Sequence, residues 1–151
     1  MTINDTIKFF ESLLIQTDKK SEIKIYENFI ATLSDLSDRE LTEEQFQSIE
    51  IALETLNLKS NPKNKKRYFS KKLNEFKKYL QKELSLISEG YYTAICMSMG
   101  MCFGVAFGAS FGESTGIALG VSFGMLIGLT IGRVMDAEAK KQGRVLKTKL
   151  L

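Results

Sequence analysis

The chain of 151 residues contains no histidine and no tryptophan, one proline and two cysteines. Without histidine a general base would have to be a carboxylate, and none stands in a motif with a nucleophile. The glycine-rich segment lacks the Lys-Ser/Thr pair that a phosphate-binding loop requires. Cys96 and Cys102 have no histidine near them, which favours small packing residues over metal ligands or a disulfide. The sequence therefore predicts no enzyme, no catalytic residue, no metal site and no cofactor.

Charge is absent from one long segment and segregated in the rest. Residues 90–132 form an apolar run of 43 residues whose one acidic or basic side chain is Glu113. Residues 1–58 carry a net charge of −7, residues 59–89 carry +7 and residues 133–151 carry +4. Such segregation indicates separate roles for separate segments. The predicted division is a soluble helical domain over 1–89, a transmembrane hairpin over 90–135 and a basic cytoplasmic tail over 136–151.

The N-terminal part has no glycine before Gly90 and no strand-like alternation. Apolar residues recur at helical spacing over 3–16 and 22–36, and again after Thr42. Thr42 followed by Gln45 reads as a capping box. The pattern predicts an all-α fold with a small four-helix antiparallel bundle at its N-terminal end.

The fourth predicted helix starts at a "KSNPKN" boundary, with Asn61 as the cap and Pro62 in the first helical position. We expect this helix to run without a break into the membrane. Its apolar face consists of Phe69, Leu73, Phe76, Leu80, Leu84 and Ile87.

The apolar run is about twice the roughly 20 residues that one crossing needs. A single helix would bury Glu113, which is expensive in a bilayer, so we expect a turn in the polar stretch "GESTG". The predicted membrane helices are 91–111 and 117–135. Because lysine and arginine flank both ends of the run, both termini are expected in the cytoplasm and Glu113 outside.

Glycine recurs at every fourth position of this run. Each glycine costs a soluble helix about 0.8–1 kcal/mol relative to alanine. In lipid that cost is returned where glycines let two backbones approach closely. The predicted helix-packing residues are Gly100, Gly104, Gly108, Gly112, Gly116, Gly120, Gly124, Gly128 and Gly132.

A second row of mostly small residues follows two positions after each glycine, about 200° away around the helix. Since one hairpin offers each helix a single partner, this face predicts either a homo-oligomer or a water-filled lumen. Leu126 lies on the same row and favours dry packing instead. Generic membrane-helix composition is the plainer alternative. The pore-lining candidates are Ser110, Glu113, Ser114, Ser122 and Thr130.

A basic cluster with Tyr68 and Tyr79 interleaved precedes the apolar run. It has three alternative partners: anionic lipid, a nucleic acid, or the acidic segment 1–58, of which the intramolecular match is the plainest. The anionic-ligand candidates are Lys65, Lys66, Arg67, Lys71, Lys72 and Lys78.

The stretches "GYYTAICMSMGMCFGVAFG", "GIALGVSFG" and "KKQGRVL" resemble the bacterial glycine-zipper membrane proteins, over roughly residues 90–146. That resemblance implies a two-helix hairpin in the bacterial inner membrane. The layout of a soluble module followed by a hairpin is similar to the membrane effectors of Hailong-type antiphage systems. It would imply a channel controlled by a nucleic-acid oligomer from a partner nucleotidyltransferase, although no motif in 1–89 carries that likeness.

The leading functional expectation is an oligomeric channel or pore in the lipid bilayer, gated by the soluble domain. The alternative is a membrane anchor that oligomerises a non-conducting scaffold for a partner protein. The expected partners are thus lipid, further copies of the chain, and either a single-stranded nucleic-acid oligomer or a partner protein.

Overall fold

The computed structural model describes residues 1–60, 62–110 and 114–149, with the side chains of Ser114 and Lys149 left out. Six helices and one two-stranded sheet make up this part of the chain, which confirms the all-α fold class with a two-helix C-terminal hairpin. In chain order the elements are α1 (Ile3–Ile15), α2 (Lys20–Ser37), α3 (Glu43–Thr55), α4 (Lys65–Leu84), β1 (Ile87–Glu89), α5 (Tyr91–Ala109), α6 (Ser114–Lys141) and β2 (Val145–Lys149).

The described residues divide into two compact units. One unit is the helical bundle, formed by residues 1–87 together with residues 146–149. The other is the hairpin of α5 and α6 within residues 88–145. The segment that the sequence set apart as a basic tail is therefore not uniform, because it contains the end of α6 and all of β2.

Helices α1, α3 and α4 of the bundle each begin with a side-chain cap. The predicted capping box is confirmed: Thr42 Oγ1 accepts from the Gln45 amide at 3.3 Å, and Gln45 Oε1 accepts from the Thr42 amide at 3.0 Å. Helix α1 begins with a similar box between Thr2 and Asp5. The hydrogen bonds that the Asp5 carboxylate accepts from the side chain and the amide of Thr2 lower the pKa of this carboxyl.

The start of α4 differs from the prediction. The helix begins at Lys65, because the side chain of Asn64 accepts from the Arg67 amide at 3.0 Å and caps the first turn. Pro62 precedes the cap, so placing it in the first helical position was wrong. Asn61, the predicted cap, lies outside the described residues.

The end of α4 also differs. Ser85 takes a left-handed conformation with φ 54°, and the Leu86 amide donates back to the Leu80 carbonyl at 3.2 Å. Together with the bond from the Ser85 amide to the same carbonyl, it ends the helix at a residue in the left-handed conformation. Ile87 therefore leaves the helix and starts β1, and the expectation that it continues the apolar face of a helix into the membrane was wrong.

Aromatic rings fill the centre of the bundle. Phe10 stacks on Phe29 at 4.3 Å between centroids, and Phe69 meets Phe10 and Tyr26 edge-on at 5.6 and 5.5 Å. All four side chains are essentially fully buried. Burial raises the pKa of the Tyr26 hydroxyl, and the nearby Glu22 carboxylate raises it further. Edge-on and offset contacts of this kind add stability beyond the buried area.

Strand β2 brings the C-terminal segment back to the bundle. Leu146 is 1% exposed and belongs to the bundle core, and Thr148 is also buried. Between them, the Lys147 amide donates to the buried Asp35 carboxylate at 3.4 Å. Arg39 donates to the same carboxylate at 2.9 Å, which compensates the buried charge. A segment that reads as a polar tail is thus part of the bundle.

We expect Leu146→Ala to lower the free energy of unfolding of the bundle by about 2–5 kcal/mol, because it leaves a cavity in the core. Urea-dependent hydrogen exchange of the α2 amides, in the full chain in detergent, measures the change. Ile15→Ala is the matched control, since Ile15 is 88% exposed. Equal effects of the two substitutions would contradict the placement of β2 in the bundle.

Candidate functional site: a glycine-packed hairpin and a basic helix

Helices α5 and α6 are each long and apolar enough to cross a membrane. The candidate spans are Tyr91–Ala109, with mean hydropathy 1.5, and Thr115–Lys141, with mean hydropathy 1.8. Only 11% of the apolar window of each helix is buried, so neither helix is covered by the rest of its own chain as a core helix would be. Phe103, Phe107 and Phe123 are 60–71% exposed. Apolar surface of this extent indicates contact with lipid or with another protein.

The glycine row lies between the two helices. Gly100 faces Gly124, Gly104 faces Gly120, and both pairs are reciprocal. A Cβ atom added at any of these four positions would overlap the backbone of the opposite helix. Only glycine permits this separation, and close backbone approach is the main source of helix association in lipid.

The same interface continues towards both ends of the hairpin. A Cβ at Gly108 would lie 2.5 Å from the Gly116 carbonyl oxygen, and one at Gly132 would lie 2.5 Å from the Thr93 Cα. Gly128 faces the backbone of Cys96 and Met97, with the Met97 Cα 2.9 Å from the added atom. Gly112 lies outside the described residues. Glycine at every fourth position therefore allows α5 and α6 of one chain to pack closely together.

The second small row points away from this interface. Ser110, Ser122 and Thr130 are exposed, and each hydroxyl donates to a carbonyl one turn earlier, at 3.3, 2.8 and 2.9 Å. Such bonds satisfy a hydroxyl inside an apolar medium without a second helix. Leu126, on the same row, is 59% exposed. Of the other pore-lining candidates, Glu113 lies outside the described residues and the side chain of Ser114 is not described.

Asp136 joins α6 to the start of α5. Its carboxylate accepts from the Tyr92 and Thr93 amides, both at 3.0 Å, and from the Thr93 hydroxyl at 2.6 Å. Amides in the first turn of a helix have no intrahelical acceptor, and a negative charge there also complements the helix dipole. Sequence reasoning missed this residue because its partners lie more than 40 positions away, with no local motif to mark them.

The basic candidates divide between three environments on α4. Lys66, Arg67, Lys71 and Lys78 line one open groove of about 710 Å³, which we call the basic groove; it also contains Glu75. Lys65 instead lines a separate cavity of about 670 Å³ with Lys66 and residues of α1 and α2. Lys72 folds back, with its Nζ 2.9 Å from Glu75 and 5.8 Å from the Tyr68 ring centroid. Four of the six predicted residues thus share one surface.

The interleaved tyrosines are not part of that surface. The Tyr68 hydroxyl donates to the Asn57 carbonyl at 2.8 Å, and its ring packs edge-on against Phe69. Tyr79 is half-buried against the core. Lys77 is also half-buried, and burial lowers the pKa of its ammonium group. The groove itself therefore presents cations and amides without an exposed aromatic ring.

In the part of the chain that the structure describes, no group of three or more His, Cys, Asp and Glu side chains could hold a metal ion. Cys96 and Cys102 are free thiols on α5.

We expect Gly104→Ala to separate the helices and lower the stability of the hairpin by about 1–3 kcal/mol, as overpacking does in other cores. Val105→Ile adds one carbon on an exposed flank and should have little effect. Thermal unfolding of both variants in detergent, followed by circular dichroism, compares them. Similar melting curves for the two variants would show that the glycine contact does not limit the packing.

Asp136→Ala leaves two first-turn amides of α5 without their acceptor. Hydrogen bonds to charged groups contribute about 1.5–3 kcal/mol, so the hairpin should lose stability on this scale. Glu138→Ala is the control, because Glu138 is exposed and its carboxylate accepts from the Gln142 side chain just after the end of α6, away from the start of α5. Hydrogen exchange at Tyr92 and Thr93 should rise in the first variant alone. Unchanged exchange at both residues would contradict the role of Asp136.

No protein-family model matches the chain, and neither a curated protein nor a solved structure shows significant similarity to it. The case for a function therefore rests on the hairpin and the basic groove.

Proposed function

We propose that the chain is a two-pass membrane protein whose copies assemble into a channel gated by the helical bundle. The observation that carries this proposal is the hydroxyl-bearing row of α5 and α6. Ser110, Ser122 and Thr130 are exposed on the hairpin, away from the glycine contact. Small residues with satisfied hydroxyls suit either a close neighbour or a water-filled lumen, and both arise when several hairpins form a ring.

A homo-oligomer follows from how the two rows are used. The glycine row is occupied by the pairing of α5 with α6 in one chain. The outward row then has no partner among the described residues of a single copy. Further copies of the same chain are the simplest partner, because most oligomers are built from identical subunits with closed symmetry.

Two crossings are supported by the pairing of β1 with β2. These strands stand directly before α5 and directly after α6, and they form one two-stranded sheet. This pairing supports both ends of the hairpin lying on the same side of a bilayer. Arg133, Lys140, Lys141 and Arg144 follow the apolar run, and the positive-inside rule assigns that side to the cytoplasm of a bacterial inner membrane.

Two further parts of the proposal concern selectivity and control. Glu113 would recur as a ring of carboxylates at the outer mouth, and such rings favour cations. The likeness to Hailong-type effectors adds an antiphage role and a nucleic-acid oligomer as the signal that acts through the bundle.

A non-conducting scaffold is the second candidate. Its support is Leu126, which is 59% exposed on the hydroxyl row and would pack dry between subunits. In that case the hairpin anchors the bundle for a partner protein.

Planar-bilayer recording of the purified chain separates the two candidates. We expect discrete conductance steps that shrink severalfold in Ser122→Leu, because the larger side chain narrows the lumen. Phe123→Leu is the matched control on the exposed flank and should conduct as the parent does. Absence of conductance from a chain that is oligomeric in detergent would favour the scaffold.

A selectivity measurement tests the outer ring. In asymmetric KCl we expect a preference for cations that shrinks in Glu113→Gln and weakens further or reverses in Glu113→Lys. The effect should be partial, since charges at a wet mouth are screened over about 8 Å at physiological salt. The same reversal potential in all three proteins would remove Glu113 from the conduction path.

A further inference from the structure

In the part of the chain that the structure describes, Lys66, Arg67 and Lys78 of the basic groove make no direct ion pair with the acidic segment of the bundle. The ion pairs of α4 that the structure describes join Lys71 and Lys72 to Glu75, and Lys82 to Glu83, all within the same helix. Lys66, Arg67 and Lys78 are exposed and form no ion pair within residues 1–60, 62–110 and 114–149. The intramolecular match between −7 and +7 is thus not made by direct contacts of this groove, which leaves it open to a partner.

The residues that line the groove favour an acidic protein surface over single-stranded nucleic acid as its partner. Proteins that hold single strands combine cations with exposed aromatic rings on which the bases stack. The two tyrosines nearest in sequence, Tyr68 and Tyr79, are half-buried and packed against the core. Asn64, Ser70 and Asn74 line the groove instead and can bond to carboxylates and backbone groups.

The bundle carries a complementary surface between α1 and α3. A cavity of about 560 Å³ there, which we call the acidic cavity, is lined by Asp5, Glu50 and Glu54 together with Met1, Thr2, Gln47 and Ile51. Ile51 is 63% exposed and offers an apolar contact beside the charges. The N-terminal ammonium group bonds to Glu54, lowers the pKa of its carboxyl and offsets its charge, so Asp5 and Glu50 give the cavity its net negative charge.

The basic groove and the acidic cavity share no lining residue. One copy can therefore offer its groove to one neighbour and its cavity to another. Contacts between two different faces of identical subunits are heterologous, and they generate rings when the rotation closes. A ring of this kind is the symmetry that a channel requires.

We infer that the basic groove of α4 docks against the acidic cavity of a neighbouring copy of this chain. The inference rests on the proposed oligomer and names the contact between its bundles. Charged pairs at such a surface set register and orientation, and they weaken as salt rises.

Disulfide trapping in the full chain tests the contact. The background is Cys96→Ala with Cys102→Ala, reconstituted in neutral phosphatidylcholine vesicles so that anionic lipid cannot occupy the groove. Lys71→Cys is combined with Glu50→Cys on a second, differently tagged copy. The control replaces Glu50→Cys by Glu27→Cys, because Glu27 is an exposed acid on α2 that does not line the cavity.

We expect at least tenfold more mixed dimer from the Lys71–Glu50 combination than from the control. The yield should fall severalfold in high salt and in an added Arg67→Glu, Lys78→Glu pair of substitutions. Equal trapping of both combinations, or none from either in a chain that is oligomeric by native mass spectrometry, would overturn the docking while leaving the oligomer intact. If native mass spectrometry finds only monomers, both the proposed channel and this contact are overturned.

A DNA-binding measurement distinguishes docking between copies from a nucleic-acid site. Single-stranded DNA of about 20 nucleotides is titrated onto the same vesicles at low salt. DNA binding that the Arg67→Glu, Lys78→Glu pair abolishes, together with no trapping above the control, would assign the groove to nucleic acid and overturn the inference. Trapping above the control supports it whether or not DNA binds elsewhere.

Discussion

Close approach of two helix backbones is the contact on which the hairpin depends. Gly100, Gly104, Gly120 and Gly124 meet the opposite backbone with no room for a Cβ atom. In lipid, where little hydrophobic force acts between helices, such contacts offset the poor helix propensity of glycine. The glycine row is already occupied by the contact between α5 and α6 of one chain. The hydroxyl row on the opposite side therefore remains available to a second copy or to a water-filled lumen.

The ends of the hairpin are fixed by polar contacts of a different kind. Asp136 supplies the acceptors that the first turn of α5 lacks. Strand β1, which precedes the hairpin in the chain, pairs with β2, which follows it. In the bundle, the buried Asp35 holds the Lys147 amide of β2. A buried carboxylate is tolerated only where several donors surround it, so these residues fix local geometry as well as adding stability.

Charge is separated on the surface of the bundle as it is along the chain. The cations of α4 and the acids of α1 and α3 line different cavities. A protein with both surfaces and little net charge is suited to associate with itself, because each face complements the other. Association through these surfaces would weaken as ionic strength rises, because salt screens exposed charges.

The sequence alone determined the helices, the apolar run and the glycine row, because each depends on local periodicity or on the length of a hydrophobic segment. The Thr42–Gln45 cap was also readable, since its two members lie three positions apart. The ends of α4 were not, because Asn64 and Ser85 compete with equally plausible neighbours and only the packed helix selects them. The bond from Asp136 to α5, the return of Leu146 to the core and the burial of Tyr68 were decided by the tertiary structure alone. The first two contacts join residues that are distant in the chain, and the third turns a side chain away from the face that its spacing suggests. No local sequence pattern specifies contacts of either kind.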